Sequence, residues 1–468
     1  MISLESFSTL NRWFYKYFVY YPVVFVRFQD VPFYLKLLLE TQKWPEKRIA
    51  ALQKWKLQNL LEEASTNVPF YSRAPIETKS CRGGRPLALN MFPFMSKDAV
   101  REEEKELRSR RFFPFLTRKT TGGSTGKAIT IYKSARAMAW ELAATWRGYS
   151  WAGIGIGDRQ GRLWGVPFTR GQKFRAKTID LIAHRKRCSA FSFDEESLKR
   201  YTRVLEKFTP DYLYGYVSMI DEYAGYFHRH ASAPPFRVRS IITTSEVLTE
   251  VHRRRIQETF SARVYNEYGC GEVGSIAHEC REGSMHIMAE NMIVEIVDGE
   301  RICRPGEFGE IVVTELNNAA MPLIRYRTGD LGSIDPKPCS CGSTLPVLSD
   351  VVGRAYDTLR NPAGKLFHGE FFMYIFEEAE KRRMGVEGFQ VVQEAPSSLL
   401  IRIVPGRAYS PSSEDFITSR IRRDFDPRVE VRFERVDHIE RLPSGKMRLI
   451  VGYRPIANGA RGIEMGRA

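Results

Sequence analysis

Short apolar runs alternate with helix-period stretches over the first two-thirds of the chain. Residues 46–65 place Ile49, Leu52, Trp55, Leu57, Leu60 and Leu61 broadly on one side of a helix. Leu163–Val166, Tyr212–Tyr214 and Ser240–Thr243 predict buried strands, and Leu198–Phe208 and Val247–Phe260 predict helices. That alternation predicts an α/β architecture with a mainly parallel sheet. From about 285 to 335 the pattern turns to β, with strand-like Met292–Val297 and Glu310–Glu315. After Gly353 it changes again. Phe389–Gln393 and Leu399–Val404 predict a strand pair, Ser413–Phe425 a helix capped by Ser412 or Ser413, and Val429–Val436 a further strand. The expected organisation is an aromatic and basic helical extension (1–45), a large domain (46–353), a small α+β domain (354–455) and a tail (456–468).

The length of 468 residues is too great for one compact core, in keeping with that division. Hydrophobic content of 43% and charged content of 27% are ordinary for a globular enzyme, whereas a formal charge of +16 is not. It points to nucleic acid, an anionic membrane surface or a polyphosphate ligand. The short basic clusters at Arg108, Arg110, Arg111 and at Arg253–Arg255 carry no nucleic-acid-binding signature, so a membrane surface or an acidic substrate ranks above nucleic acid. Seven unevenly placed cysteines do not form a secreted disulfide scaffold and favour a reducing, cytoplasmic setting. No signal-peptide layout opens the chain.

The apolar stretch Phe18–Phe28 contains Pro22 and reaches Arg27 well short of the roughly 20 residues a spanning helix needs. The favoured reading is a docking helix buried against the large domain. The alternative is peripheral membrane association through residues 12–28, at the inner membrane surface. There Trp13, Phe14, Tyr15, Phe18, Tyr20 and Tyr21 interleave with Arg12, Lys16 and Arg27.

Candidate chemistry begins at Thr120–Ala128, TTGGSTGKA. Glycines let backbone N–H groups turn toward a phosphate, hydroxyls donate further bonds, and lysine neutralises charge. The nucleotide-triphosphatase loop is excluded, because Thr121 and Ala128 stand where it requires glycine and a hydroxyl residue. Four more segments follow: Tyr268-Gly269-Cys270-Gly271-Glu272, Arg325–Asp330 (RYRTGD), Gly353-Arg354, and Leu442–Lys446 (LPSGK). Gly269, Gly271 and Gly274 also spell a dinucleotide fingerprint, which is rejected because no helix opens there.

In this order and spacing the five segments resemble the adenylate-forming superfamily. The nearest branch is that of the phenylacetate–CoA ligases and their relatives from capsular-polysaccharide loci. The resemblance runs from about Leu60 to Val451 and includes Asn67–Tyr71, Pro210–Ser218, Thr243–Glu246 and Met321–Tyr326. It implies a large multi-sheet domain with a small mobile α+β domain. It also implies a two-step reaction: a carboxylate attacks the α-phosphate of MgATP, then a thiol, usually that of CoA, takes the acyl group. Thr121, Gly122, Gly123, Ser124, Thr125, Gly126 and Lys127 would hold the β- and γ-phosphates and stabilise the leaving pyrophosphate. Glu272 would bind Mg²⁺. Tyr268 and Gly269 would lie near the adenine, with Ser245 and Glu246 as the opposite wall. Asp330 would accept from the ribose hydroxyls, Arg354 would join the nucleotide site, and Lys446 would bridge the α-phosphate and carboxylate oxygens.

Three positions depart from the family pattern. Ala128 replaces a usual proline. Gly271 replaces a usual threonine and removes a hydroxyl from beside the phosphates, predicting weaker or slower use of ATP. Tyr356 replaces an acidic residue common at the hinge on which the small domain turns, so the second step is the one affected. Cys280, His286, Cys339 and Cys341 are candidate ligands of a structural Zn²⁺, with His278 as the alternative nitrogen donor. Cys-x-Cys is tighter than usual zinc spacing, but family relatives carry the same residues. Trp164, Phe168, Tyr214 and Tyr216 are the candidate acid-pocket lining, which does not choose a ligand. Beside the acyl–CoA ligase stand two alternatives. One is adenylation with transfer to an amine, a hydroxyl or a carrier protein. The other is a catalytically degenerate binding protein of the same fold.

Overall fold

The computed structural model describes residues 10–73, 88–121, 129–164, 170–189, 195–352, 359–363, 366–367, 370–440 and 448–452. Gly122–Lys127, Phe168, Arg354, Tyr356 and Lys446, all singled out by the sequence, lie outside these residues, as does the side chain of Thr121. The chain divides into two units that change over at Gly353–Arg354.

The first unit is built on one twelve-stranded sheet. Strands β1 (Thr117–Thr121) and β2 (Ile129–Lys133) form a separate antiparallel hairpin. The large sheet contains β3 (Gln160–Trp164), β4 (Arg185–Ser189), β5 (Tyr212–Tyr216), β6 (Ser240–Thr244) and β7 (Arg263–Cys270). These run parallel in the order β4-β3-β5-β6-β7. Residues in β5 and β6 are buried throughout, which is why their sequences read as continuous apolar runs and not as alternation. Helices 195–208, 217–229 and 250–260 link and cover them.

The sheet is mixed, not mainly parallel. At β8 (Gly274–Glu279) the direction reverses, and β9 (Met285–Ile287), β10 (Met292–Asp298), β11 (Arg301–Ile302), β12 (Gly309–Glu315), β13 (Tyr326–Asp335) and β14 (Val347–Val352) continue it antiparallel. The change of pattern after residue 285 is therefore a change of direction within one sheet. The glycines of the rejected fingerprint sit in the β7–β8 hairpin. A Cβ on Gly269 would meet the Gly274 carbonyl oxygen at 2.5 Å, and Gly274 has φ +93°.

Residues 10–45 pack into the same unit. Tyr20, Val24, Val31 and Leu38 share a core with Trp140, Ala143 and Ala144 of helix 135–151. Trp146 Nε1 donates to the Tyr20 hydroxyl at 2.8 Å. In the buried polar joint behind it, Arg147 Nη1 meets Glu290 Oε1 at 2.6 Å. The N-terminal helix thus docks, as the favoured reading expects, but only through a narrow face. Trp13, Phe14, Tyr17, Phe18 and Phe25 on its outer side are exposed. Among the described residues no helix is long and apolar enough to cross a membrane.

Helix 46–67 corrects a second expectation. Trp55 is exposed and Lys56 is buried, with its Nζ donating to the Glu290 carbonyl at 2.7 Å and to Asn317 Oδ1 at 2.9 Å. The long methylene stem lets the ammonium reach those oxygens from a buried backbone.

The second unit carries a four-stranded sheet in the order β19-β18-β17-β20. Strands β15 (Leu359–Arg360) and β16 (Leu366–Phe367) form a small hairpin, and β17 (Val386–Ala395) and β18 (Ser398–Pro405) pair antiparallel. The flanking β19 (Glu430–Arg435) and β20 (Ile450–Val451) lie parallel to β18 and β17. Helices 370–381 and 411–424 close the core over Phe372, Ile375, Ile417 and Ile421. The second helix is capped by Ser410 and not by Ser412 or Ser413, because Pro411, with no N–H and a helical φ, takes the first helical position.

Candidate active site at the ends of the parallel strands

Trp164 closes β3, Tyr216 closes β5, Ser245 and Glu246 follow β6, and Tyr268 lies near the end of β7. All are at the carboxyl ends of parallel strands, where open α/β sheets bind ligands because successive connections leave a crevice. Burial forces the strand interiors to be apolar, so polar chemistry collects at these ends.

On β7 the side chains alternate. Tyr268 and Glu267 therefore face opposite sides of the sheet. The Tyr268 hydroxyl donates to Asp330 Oδ2 at 2.9 Å, and the Asp330 backbone N–H donates to Thr328 Oγ1 at 3.1 Å. Burial and the neighbouring Asp330 carboxylate push the Tyr268 phenol well up, so it stays a donor. Arg325, just upstream, has φ +52° and is fixed by Glu295 at 3.1 and 3.2 Å. It therefore positions the β13 strand that carries Asp330. Ser245 also has a left-handed backbone, φ +69°. Next to it, the Glu246 carboxylate accepts from the Ser218 backbone N–H at 2.7 Å and hydroxyl at 3.0 Å. That bond ties the connection after β6 to the end of β5.

Glu272 sits in the β7–β8 turn and is buried, with its Oε1 3.3 Å from Lys97 Nζ. Burial raises its pKa, but Lys97, with hydrogen bonds from the Glu272 backbone N–H and the Cys270 thiol, more than offsets burial and holds the carboxyl below the usual range. Lys97 was not marked by sequence reasoning. It opens helix 97–102, which Ser96 caps by accepting from the Ala99 N–H at 3.1 Å. The Met95 backbone pairs with both Arg325 and Arg327, at 2.9 and 2.8 Å, and so carries the helix to the turn. The available signal was the Ser-Lys-Asp start of a helix, common enough to pass for a surface cap.

A second unmarked group lies behind the turn. Lys133, wholly buried at the end of β2, donates to Glu141 Oε2 at 2.7 Å, to Glu315 Oε1 at 2.8 Å and to the Val273 carbonyl at 3.1 Å. Lys119 on β1 reaches the other Glu141 oxygen at 2.7 Å. Burial opposes the charge on Glu141, yet the two lysines outweigh it and hold its carboxyl down at about 2. Both arms of the β1–β2 hairpin, whose connection is the glycine-rich loop, are thereby fixed to the residue after Glu272.

On the pocket side, Trp164 and Tyr216 have ring centroids 4.3 Å apart and Trp164 and Tyr214 5.6 Å. The Arg162 guanidinium lies 4.6 Å from the Trp164 ring and 4.7 Å from that of Tyr214. Glu267, also unmarked by the sequence reading, accepts from the Ser275 hydroxyl at 2.5 Å behind this wall.

Cys280, His286, Cys339 and Cys341 converge elsewhere in the unit, with one ligand atom each and all within 4.8 Å of one another. Zn–S bonds of about 2.3 Å in a tetrahedron set sulfurs about 3.7 Å apart; Cys280 and Cys339 stand at 3.7 Å. His286 Nδ1 bonds the Leu345 carbonyl at 3.0 Å, which leaves Nε2 facing Cys341 Sγ at 3.2 Å. His278, the alternative nitrogen donor, instead lies 3.7 Å from Glu267. Burial pushes the Cys341 thiol up to about 12, an effect a dication at the centre of the cluster would reverse. The donor set fits zinc.

Residues 359–452 match the CapK C-terminal domain family. Protein CapK of Staphylococcus aureus is 26% identical over 317 residues, covering 66% of this chain and 69% of that one. Phenylacetate-coenzyme A ligase of Thermus thermophilus is 26% identical over 344 residues, covering 68% and 73%. Among solved structures, 2-hydroxyisobutyryl-CoA ligase in its postadenylation state, in complex with R3-HIB-AMP, superposes with a TM-score of 0.69 at 20% identity, over 89% of this chain and 92% of that one. The chain is thus similar to CapK and the phenylacetate–CoA ligases over about two thirds of its length, carries a CapK-type C-terminal domain and shares the fold of the adenylate-forming CoA ligases.

Proposed function

We propose that the protein uses ATP to convert a carboxylic acid to its acyl-adenylate, releasing pyrophosphate, and then transfers the acyl group to the thiol of CoA. The observation that carries this reading is the alignment of Tyr216, Ser245–Glu246 and Tyr268 at successive strand ends, with Asp330 bonded to Tyr268 and Glu272 in the adjoining turn. Tyr268 and the Ser245–Glu246 segment make two walls for an adenine, and Asp330 is an ionised acceptor for ribose hydroxyls. The glycine-rich loop, Thr121 to Lys127, would receive the β- and γ-phosphates, its ends braced by Lys119 and Lys133 through Glu141. By the family resemblance, Arg354 would contact the nucleotide and Lys446 the α-phosphate and carboxylate oxygens.

Glu272 is the candidate Mg²⁺ ligand, and Mg²⁺ would supply charge neutralisation on the phosphates. The buried carboxylate, held ionised by Lys97, fits that role. The cysteine–histidine cluster would hold a structural zinc that clamps β8, β9 and the 339–345 turn. Trp164, Tyr214 and Tyr216 would line the acid pocket, with the Arg162 guanidinium stacked against the first two of them.

A second reading is transfer to an amine, a hydroxyl or a carrier arm in place of CoA. ATP–pyrophosphate exchange with aryl, fatty, amino and sugar acids tests the first step, and CoA against hydroxylamine as trap separates the acceptors. Exchange should appear with one acid class and fall at least about 100-fold in Lys446→Ala. Exchange with no acid, together with no binding of ATP, overturns the reading.

A further inference from the structure

The N-terminal helix presents a stripe that nothing among the described residues of its unit covers. Leu10, Trp13, Phe14, Tyr17, Phe18, Phe25 and Val26 recur at three- and four-residue spacing and are exposed. The opposite face is already committed. Tyr20 is bonded to Trp146, Val24 is buried, and Arg12 pairs with Asp158 at 3.4 Å. The stripe is therefore not a core face awaiting its partner within the unit.

A second segment joins it. Phe28 and Phe115 stack with ring centroids 4.3 Å apart, which brings the 112–116 turn beside the helix end. Both residues have left-handed backbones, φ +56° and +57°. That conformation is strained for bulky side chains and persists only where the surroundings enforce it. Phe112, at 85%, and Phe25, at 80%, are more exposed than the other large apolar side chains among the described residues.

The charge carried by both segments has one sign. No Asp or Glu occurs from Leu10 to Gln29 or from Leu107 to Thr121, whereas Arg12, Lys16, Arg27, Arg110, Arg111 and Arg118 do. Arg12 and Arg111 pair with Asp158 and Glu63, and the segments themselves contribute cations and no carboxylate, so the apolar aromatic face complements the headgroup layer of an anionic bilayer. A second copy of the chain would bring those cations face to face across a symmetric interface and be repelled.

We propose that residues 10–28 and 112–116 form one docking face for an anionic lipid bilayer, so that the protein lies on a membrane surface without crossing it. Sedimentation of the full chain with vesicles tests this, independently of which acid it activates. Binding to phosphatidylcholine vesicles containing roughly 30 mol % phosphatidylglycerol should exceed binding to phosphatidylcholine alone by about tenfold and weaken with salt. Trp13→Ser/Phe14→Ser/Phe18→Ser and, separately, Phe112→Ser/Phe115→Ser should each lower it about tenfold with the melting temperature unchanged, because the altered groups are exposed. Lys16→Glu/Arg27→Glu leaves the rings in place and should remove the preference for anionic lipid, which guards against a serine variant that fails to fold. Equal binding to both vesicle types, no binding to either, or full binding by all three variants overturns the proposal. So does a wild-type dimer that the triple variant dissociates.

Discussion

Lys97 shows how one side chain sets the working range of another. Burial alone would raise the Glu272 pKa, and Lys97 is the largest of the influences that together reverse the sign. In Lys97→Met the opposing charge is gone, so Glu272 takes up a proton at higher pH, and the ionised form in which it would bind Mg²⁺ is lost sooner on acidification. The acid limb of the pyrophosphate-exchange profile, taken at saturating MgATP, should move to higher pH. An unchanged limb would mean that Glu272 does not govern it. The sequence displayed Glu272 because its neighbours Tyr268 and Gly269 form a recognisable run. It concealed Lys97, whose relevance comes only from Met95 pairing with a strand 230 positions away in the chain. Trp55 and Lys56 misled in the same manner: polarity assigned their sides of the helix, and the oxygens of Glu290 and Asn317 reversed the assignment.

Single elements were legible where their burial was uniform. The runs at β5 and β6 appear in the sequence as they do in the sheet, because both faces are covered. The direction of the strands after residue 285 was not legible, since β-period segments look alike in parallel and antiparallel company. Two elements make separate predictions. The β1–β2 hairpin is held by Lys133, so Lys133→Met leaves Glu141 and Glu315 buried beside each other. It should lower stability by about 3–5 kcal/mol in urea unfolding at neutral pH. Glu141, held at about 2 against an ordinary value of 4.5, contributes stability that is present above that ordinary value and fades as pH falls toward 2. The mutant's unfolding should therefore depend less on pH across that acid window. The β8–β9 region makes the other. Purified protein should carry stoichiometric zinc, and Cys339→Ser should lose the metal and melt several degrees lower. Metal-free protein with an unaltered melting temperature would exclude a structural ion.

At the scale of the molecule, the ordered motifs carried the family assignment, and the two units meet where the composition changes, at Gly353. What composition left open was the meaning of +16. The structure distributes that charge unevenly in kind. Arg147, Arg325 and Lys133 are buried against carboxylates, while Lys16 and Arg27 lie on a segment of exposed aromatic rings. A net count cannot distinguish a cation that holds a core from one that faces a partner.

The reversal of direction at β7–β8 constrains how such a protein can change over generations. A residue added between Cys270 and Gly274 would slip the β8 register and turn the side chains of the strands beyond it to the wrong face. Gly274 leaves no slack, because a Cβ there would stand 2.7 Å from Glu141. The connections after β3, β5 and β6 end in helices and carry no such register, so they accept insertions. On the proposed function, new acids would be recruited by lengthening or exchanging those connections, while Glu272 keeps its place in the β7–β8 turn. The sheet separates the part of the site that is free to diverge from the part that is not.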